Sequence, residues 1–304
     1  MTLQELKYIV AVAEEKHFGN AAQRCFVSQP SLSAAIRNLE DELNVKLFER
    51  GKVGVLLTET GERVVEQARR VLEEAERVKT MAKAGRNPLA GVLRLGVIPT
   101  IAPYLLPGLI QELRKVAPAM PLDIEENLTA NLEAMLRAGQ LDAAILALPF
   151  QVPGVEVTAL YDEEFRLVVP AKHPWAKRKT IAMSELDPAS LLLLPVGHCF
   201  RDQVLDACRE FARAPAPGRQ GNSLETLRSM VASGLGMTVL PATALTSQHS
   251  NPLVKDVPFQ APHPIRRVAM VWRKGFPRIA ALRAVSEAAR GLKLPIELTN
   301  IEKK

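Results

Sequence analysis

The sequence predicts an α/β protein in which a winged helix-turn-helix and a long linker helix precede a larger α/β domain. Residues 1–58 show three short helical patterns and then two short alternating segments. Residues 59–84 form one amphipathic stretch without proline. Beyond residue 91 strand and helix patterns alternate, which is typical of parallel α/β folds.

The first three helices have recognisable starts and stops. Apolar residues at helical spacing predict a helix over 3–15, and residues 17–20 read as a break before a short helix, Ala21–Cys25. Ser28 can cap a third helix, Pro30–Leu43, whose proline lies in the first turn, where a missing N–H is harmless.

A hairpin and a long helix follow. Val45–Phe48 and Val53–Thr58 alternate like the strands of a wing, and Glu59–Ala84 reads as the linker helix, before a hinge at residues 85–91. The apolar stripe of the linker is Val64, Ala68, Val71, Leu72, Ala75, Val78 and Ala82. With no obvious local partner, the stripe favours pairing with a second subunit, although packing on its own domain is the alternative.

The larger domain is predicted from its alternating patterns. The predicted strands are Val92–Val97, Leu122–Glu126, Ala143–Leu148, Val155–Leu160, Phe165–Val169, Leu191–Leu194, Met237–Leu240 and Arg267–Trp272. The predicted helices are Ala102–Val116, Ala130–Ala138, Arg201–Ala212, Leu224–Ser233 and Arg278–Gly291. Their order predicts a parallel sheet with helices on its faces.

Composition narrows the class of protein. The chain has no signal-peptide pattern at its start and no apolar run long enough to span a bilayer, so we expect a cytoplasmic protein without membrane contact. The net charge of +6 does not by itself indicate nucleic-acid binding, because residues 1–58 carry seven basic and seven acidic side chains. Three cysteines in a reducing compartment favour thiols, and any disulfide there is usually transient and redox-sensing.

The N-terminal fifth resembles the LysR-type regulators. The resemblance rests on Ala21, Ala22, Val27 to Ser33, Ile36 to Glu40, Leu43, Leu47 to Arg50, Leu57, Thr58 and Gly61. It implies a DNA-binding domain at 1–58, a linker and hinge at 59–90, and an effector domain at 91–304 similar to periplasmic binding proteins. The family pattern divides the effector domain into subdomain I, about 91–163 plus 268–304, and subdomain II, about 164–267.

The second half resembles the hydrogen-peroxide-sensing members of that family. The matching segments are Gly197 to Gln203, Cys208, Ser223 to Arg228 and Gly234 to Gly236. This resemblance implies a reversible Cys199–Cys208 disulfide that controls oxidative-stress genes, with Cys199 attacking peroxide and Cys208 resolving the product. It also implies reduction by thioredoxin or glutaredoxin, contact with RNA polymerase, a homodimer that forms a homotetramer, and no enzymatic role.

The helix-turn-helix defines the expected contacts with promoter DNA. The N-terminal residues of a recognition helix face the major groove, where amide and hydroxyl side chains read base edges. The candidate DNA contacts are Ser28, Gln29, Pro30, Ser31, Ser33, Arg37 and Arg50, the two arginines being better placed for phosphates. Taken singly, Ser28 is better explained as a helix cap and Arg37 as a solvated side chain, but within the full motif contact with DNA is favoured.

The three cysteines have different expected roles. Cys25 lies at an apolar helix position, which favours a buried structural thiol. Cys199 and Cys208 are nine positions apart, which is about 13 Å along a helix axis. A disulfide needs Cα atoms within about 7 Å, so bonding requires the intervening segment to unwind. Two incidental core thiols are the alternative that composition alone leaves open.

The resemblance also implies a peroxide pocket. Its residues would be Thr100, Thr129, His198, Asp202 and Arg266. A thiolate needs a basic neighbourhood, which His198 and Arg266 would supply, while Asp202 would relay protons or orient water. The threonines follow predicted strands, where α/β folds bind ligands, and simple helix capping is their alternative.

Three other functions share some of these features. The histidines show no ligand spacing with the cysteines, so no metal or cofactor is expected. A LysR-type regulator of an organic inducer would leave the cysteines incidental, and a thiol peroxidase would not need the helix-turn-helix. The missing signal peptide argues against a periplasmic solute-binding protein.

Overall fold

The computed structural model describes residues 1–51, 54–84, 87–186, 190–207 and 220–294. They form two compact units, Met1–Asn87 and Pro88–Lys304. Within the described residues, no helix is both long and apolar enough to cross a membrane.

The first unit begins with the three helices of the helix-turn-helix. They are α1 (Leu3–Glu15), α2 (Phe18–Arg24) and α3 (Gln29–Leu43). Helix α2 begins three residues earlier than predicted, so the expected break at 17–20 is wrong. The reason is a cap: His17 Nδ1 accepts hydrogen bonds from the backbone N–H groups of Gly19 and Asn20, at 3.1 and 3.2 Å.

The wing is a two-stranded antiparallel hairpin, whose first strand begins three residues later than predicted and whose second strand is two residues shorter. Its strands are β1 (Phe48–Gly51) and β2 (Gly54–Leu57). Buried Glu40 fixes the hairpin to α3, because its carboxylate accepts the backbone N–H groups of Leu47 at 2.8 Å and Phe48 at 3.3 Å. Burial alone would raise the pKa of Glu40, but the hydrogen bonds from Lys46 and from these two N–H groups outweigh burial and lower the pKa.

The linker helix α4 (Glu59–Ala84) has the predicted length. Gly61, in its first turn, lies so close to the carbonyl of Leu47 that an added Cβ would come within 2.1 Å of that oxygen. Val65 and Ala68 are buried in the core of the first unit, and α4 packs on α1. The expectation that the stripe has no local partner is therefore wrong for the first half of α4, whereas Val78 is 67% exposed.

The second unit is a mixed sheet with helices. Its strands are β3 (Leu93–Val97), β4 (Leu122–Glu126), β5 (Ala143–Ala147), β6 (Val155–Pro170), β7 (Thr238–Pro241), β8 (Val254–Pro258) and β9 (Ile265–Arg273). Its helices are α5 (Ala102–Val116), α6 (Thr129–Arg137), α7 (Cys199–Ala207), α8 (Leu224–Ala232) and α9 (Ile279–Gly291). The strand order is β4-β3-β5-β9-β6-β7, with β8 paired to β6.

The sheet differs from the predicted parallel one. Only the pairs of β3 with β4 and with β5 are parallel, while β9 runs antiparallel to β5 and β6. The two strands predicted at 155–160 and 165–169 form the single strand β6, which carries an irregularity between Ala159 and Tyr161. The predicted strand at 191–194 contributes only isolated bridges.

Two hydrophobic cores lie along this sheet. One core takes residues between Leu93 and Tyr161 and between Val268 and Ala289, and the other takes residues between Phe165 and Phe259. Strand β6 contributes residues to both cores, and β9 pairs with β6 where it passes from one core to the other. The predicted subdomain boundaries stay predictions.

Candidate functional site

The predicted DNA contacts form a polar surface on the first turns of α3. Ser28 caps the helix, its Oγ accepting the backbone N–H of Ser31 at 3.3 Å. Gln29, Pro30 and Ser31 are exposed. Ser28 therefore acts as a helix cap, which was the alternative explanation for it. Its exposed neighbours are accessible to a ligand.

The two arginines predicted to contact phosphates differ in what can be said of them. Arg37 is exposed, and its Nε donates to the backbone carbonyl of half-buried Ser33 at 3.3 Å. Arg50 lies in β1, and its side chain is outside the described part of the structure. A contact of either arginine with DNA stays a prediction.

The threonines predicted for a peroxide pocket lie near the carboxyl ends of two neighbouring parallel strands. Thr100 follows β3 and Thr129 is the first residue of α6, after β4. Neither hydroxyl caps a helix, because the N-cap residues of α5 and α6 are Ile101 and Leu128, which make no side-chain cap bond. The capping alternative is therefore wrong for both threonines.

Arg266 is the centre of a buried polar network. Its guanidinium donates from Nε to Glu163 Oε2 at 2.8 Å, and Nη2 lies 2.7 Å from the same oxygen. Nη1 donates to Thr100 Oγ1 and Nη2 to the Thr100 carbonyl, both at 2.9 Å. Arg266 and Glu163 are fully buried and are direct partners on β9 and β6.

This network leaves hydrogen-bond donors for a small ligand. A guanidinium carries five N–H groups, and the described residues provide no acceptor for the second N–H on Nη1 of Arg266. Thr100 Oγ1 accepts from Arg266, so its own hydrogen remains to be donated. Thr129 Oγ1 is buried without a hydrogen-bond partner. Buried polar groups are seldom left unsatisfied, so the unpaired hydroxyl indicates a site for a polar ligand or water.

Cys199 is the first residue of α7 and directly precedes a residue that contacts this network. Its thiol is free and half-buried, and it packs against the first core. The next residue, Phe200, belongs to the second core and lies over the guanidinium of Arg266, with its ring centroid 5.1 Å from Cζ. Gly197 makes the turn before the helix with φ of +103°, close to Leu128 and so to the start of α6. The start of α7 is thus joined to Arg266 through Phe200 and to the start of α6 through Gly197.

Two of the predicted site residues differ from their expected roles or leave them open. Burial lowers the pKa of His198, which disfavours the positive charge expected of its ring. The positive charge of Arg266 is balanced by its ion pair with Glu163, so the site carries no net positive charge from Arg266. Asp202 is exposed on the first turn of α7, and its role as a proton relay stays a prediction.

The remaining cysteines are not equivalent to Cys199. Cys208 lies outside the described residues, as does the end of the helix predicted to run to Ala212. Cys25 is half-buried in the first unit with a free thiol, and burial raises the pKa of that thiol. A raised pKa means less thiolate at pH 7, which fits a structural role.

Sequence reasoning missed Glu163 and Thr243. The second oxygen of Glu163, Oε1, accepts both the backbone N–H of Thr243, at 2.9 Å, and its hydroxyl. A signal was present, because the acidic run Asp162–Glu164 interrupts the apolar residues of one strand, and the basic pair Arg266–Arg267 lies beside the apolar run of another. Pairing these two strands would have found the salt bridge.

Comparison with known proteins gives the family. The model of the bacterial regulatory helix-turn-helix protein, lysR family, matches residues 3–62, and the LysR substrate binding domain matches residues 86–292. The chain belongs to the LysR family. A LysR-family relative, the DNA-binding transcriptional dual regulator OxyR of Escherichia coli K12, is 41% identical over 95% of both chains.

Solved structures extend the match over both units. Full-length OxyR from Pseudomonas aeruginosa, determined as a variant, is 50% identical, with a TM-score of 0.78, and covers 95% of this chain and 98% of its own. A hydrogen-peroxide-bound mutant of Corynebacterium glutamicum OxyR is 35% identical, with a TM-score of 0.65, over 95% of this chain and 91% of its own. This LysR-family chain therefore resembles OxyR along nearly its whole length.

Proposed function

We propose that this protein is a hydrogen-peroxide-sensing, DNA-binding transcription regulator of the LysR family. Its sensing residue is Cys199. The observation that carries the proposal is the free Cys199 thiol next in sequence to Phe200, whose ring lies over Arg266, in a site where Arg266 and two threonine hydroxyls retain unused hydrogen-bonding capacity. The relatives' names, which include hydrogen peroxide-inducible genes activator, support the same activity.

The first step oxidises the thiol. The Cys199 thiolate attacks one peroxide oxygen, the O–O bond breaks, and the other oxygen takes a proton and leaves as water. The sulfur loses two electrons and becomes sulfenic acid. The spare N–H of Arg266 and the hydroxyls of Thr100 and Thr129 donate hydrogen bonds to the peroxide oxygens, which stabilises the charge that develops on the leaving oxygen. Asp202 supplies or relays the proton.

The second step makes the switch. The Cys208 thiol attacks the sulfenic sulfur, an S–S bond forms, and the hydroxyl leaves as water with the proton of the thiol. The helix α7 separates Cys199 from the residue before Cys208 by about 12 Å along its axis, whereas a disulfide needs Cα atoms within about 7 Å. Oxidation therefore requires α7 to unwind, and this rearrangement carries the signal.

The rest of the function follows from the family. The α3 surface binds promoter DNA through Ser28, Gln29, Pro30, Ser31 and Ser33, while Arg37 and Arg50 contact phosphates. Subunits pair through the part of α4 around exposed Val78 and assemble as a dimer of dimers. The refolded segment changes the spacing of the DNA-binding units and the contact with RNA polymerase, and thioredoxin or glutaredoxin restores the thiols. Because promoter DNA and the thiol reductants are cytoplasmic, we expect the protein in the cytoplasm. The thiol oxidation serves gene regulation and not enzymatic turnover of peroxide.

The test is to trap the first intermediate. In Cys208→Ser, peroxide converts Cys199 to sulfenic acid, which a dimedone-type reagent labels at Cys199; in wild type the label fades as the disulfide forms. Cys199→Ser, the matched control, gains no label although Cys25 remains. Absence of the label in Cys208→Ser would contradict the order of attack, and normal peroxide induction of a reporter by Cys199→Ser would overturn the proposed function.

A further inference from the structure

We propose that Glu163 is a positioning residue for peroxide reduction, which holds Arg266 in the orientation that directs its spare N–H to the peroxide. This inference rests on the proposed function. Glu163 is fully buried, and its two carboxylate oxygens have separate tasks. Oε2 binds Arg266, and Oε1 is fixed by the backbone N–H and the hydroxyl of Thr243.

The placement of Glu163 explains why Arg266 has one orientation. The carboxylate binds Nε and Nη2, and the Thr100 carbonyl binds Nη2 again, so one edge of the planar guanidinium is saturated. Only Nη1, on the other edge, reaches Thr100 Oγ1 and keeps an N–H without an acceptor among the described residues. The face of the guanidinium is covered by Phe200. Removing Glu163 would free Nε and leave Thr100 as the remaining hydrogen-bond partner of the guanidinium, which would allow the group to tilt.

The second effect of Glu163 on Arg266 is electrostatic. Its negative charge cancels that of Arg266 inside the fold, where opposite charges interact strongly. Arg266 therefore acts on peroxide as a directed hydrogen-bond donor more than as a source of net positive charge for the thiol. It follows that losing Glu163 should slow the reaction with peroxide, which needs the aligned donor, without slowing the reaction of the thiolate with a reagent that needs none.

The experiment compares two reagents on the full-length reduced protein. Peroxide oxidation of Cys199 is followed by stopped flow, and its alkylation by iodoacetamide is followed by mass spectrometry. In Glu163→Gln we expect oxidation about ten-fold slower, the cost of losing one charge-assisted hydrogen-bond pair, and alkylation no slower than in wild type. Glu163→Asp, which keeps the charge, should recover part of the oxidation rate.

A milder pair of variants covers the case in which Glu163→Gln fails to fold. Thr243→Val removes the hydroxyl that anchors Oε1 and should slow oxidation about three-fold, whereas Thr243→Ser keeps the hydroxyl and should react like wild type. The neighbouring pair of Asp162 and Arg267, with Nε to Oδ1 at 2.7 Å, lies one register away on the same strands and provides a matched control. Asp162→Asn should change neither rate.

The outcomes separate this inference from the proposed function. Unchanged oxidation in both Glu163→Gln and Thr243→Val, with fast oxidation in wild type, would overturn the role of Glu163 alone. Equal slowing of oxidation and alkylation would also overturn it, because that result means general damage to the fold. If wild-type Cys199 itself is not oxidised by peroxide, the proposed function fails and not merely the assignment of Glu163.

Discussion

In the first unit the predicted DNA contacts, Gln29 to Ser31, are exposed on the first turn of α3, whereas in the second unit Arg266 and Thr100 are buried in contact with each other. The α3 surface depends on a single helix, which is capped by Ser28, the residue next to it in sequence. The thiol site depends on strands and loops far apart in the chain. The comparison teaches that side chains of the α3 surface can change with little cost to folding, while those of the thiol site are part of the core.

The largest expected effect comes from comparing Arg266→Ala with Gln29→Ala. The first leaves buried Glu163 without its partner and should lower the free energy of unfolding by about 3–5 kcal/mol. The second should change it by less than about 0.5 kcal/mol, while lowering DNA affinity. Both tryptophans, Trp175 and Trp272, lie in the second unit, so their fluorescence in urea reports unfolding of that unit for Arg266→Ala, and far-UV circular dichroism follows the helices of the first unit for Gln29→Ala. Similar stability losses in the two variants would contradict the distinction.

Subunit pairing through α4 should also depend on an exposed surface. In Val78→Glu we expect the charge introduced at the subunit contact to prevent pairing, so that the protein sediments as a monomer. Binding to a full palindromic site should then be weaker by about 100-fold, because the second DNA-binding unit no longer adds effective concentration. Val78→Thr, similar in shape and uncharged, should stay dimeric. Dimers that persist in Val78→Glu would place the main subunit contact in the second unit.

Glu40 differs from the exposed DNA-contact residues of the first unit because its carboxylate is buried. Glu40→Gln should destabilise that unit by about 2 kcal/mol at pH 7, since three hydrogen bonds to a charged group are weakened. The pKa of Glu40 is lowered from its ordinary 4.5, so its stabilisation is complete above that pH and is lost as pH falls through the folded-state pKa.

Urea unfolding followed by far-UV circular dichroism measures this effect. The difference between wild type and Glu40→Gln should be constant from pH 7 to about pH 5.5 and shrink below about pH 4.5. A difference that grows as the pH falls would contradict the lowered pKa of Glu40.

The smallest expected effect separates function from stability within the buried site. Thr129 Oγ1 has no partner, so Thr129→Val should not lower the free energy of unfolding. It should nevertheless slow peroxide oxidation of Cys199 by about ten-fold, because one donor to the peroxide is lost. Thr129→Ser keeps the hydroxyl and serves as the control. A clear loss of stability in Thr129→Val would show that the hydroxyl serves the fold.

The parts of the fold that sequence reasoning predicted are those with local causes. The cap at Ser28, the length of α4 and most helix bounds depend on residues a few positions apart. The pairing of Glu163 with Arg266 joins strands 103 residues apart, and no local pattern fixes their register. The same limit explains why the mixed sheet was taken for a parallel one. The start of α2 was missed because its N-cap residue is a histidine, His17, which is an uncommon cap.

The measurement that tests the central claim most directly is a peroxide titration of the reduced protein bound to its promoter. About one equivalent of peroxide per chain should lower the free thiols from three to one, leaving Cys25, and should change the DNA footprint in step. Peptide mapping should find the Cys199–Cys208 disulfide. Loss of the Cys25 thiol first, or disulfide formation without any change in the footprint, would contradict the account.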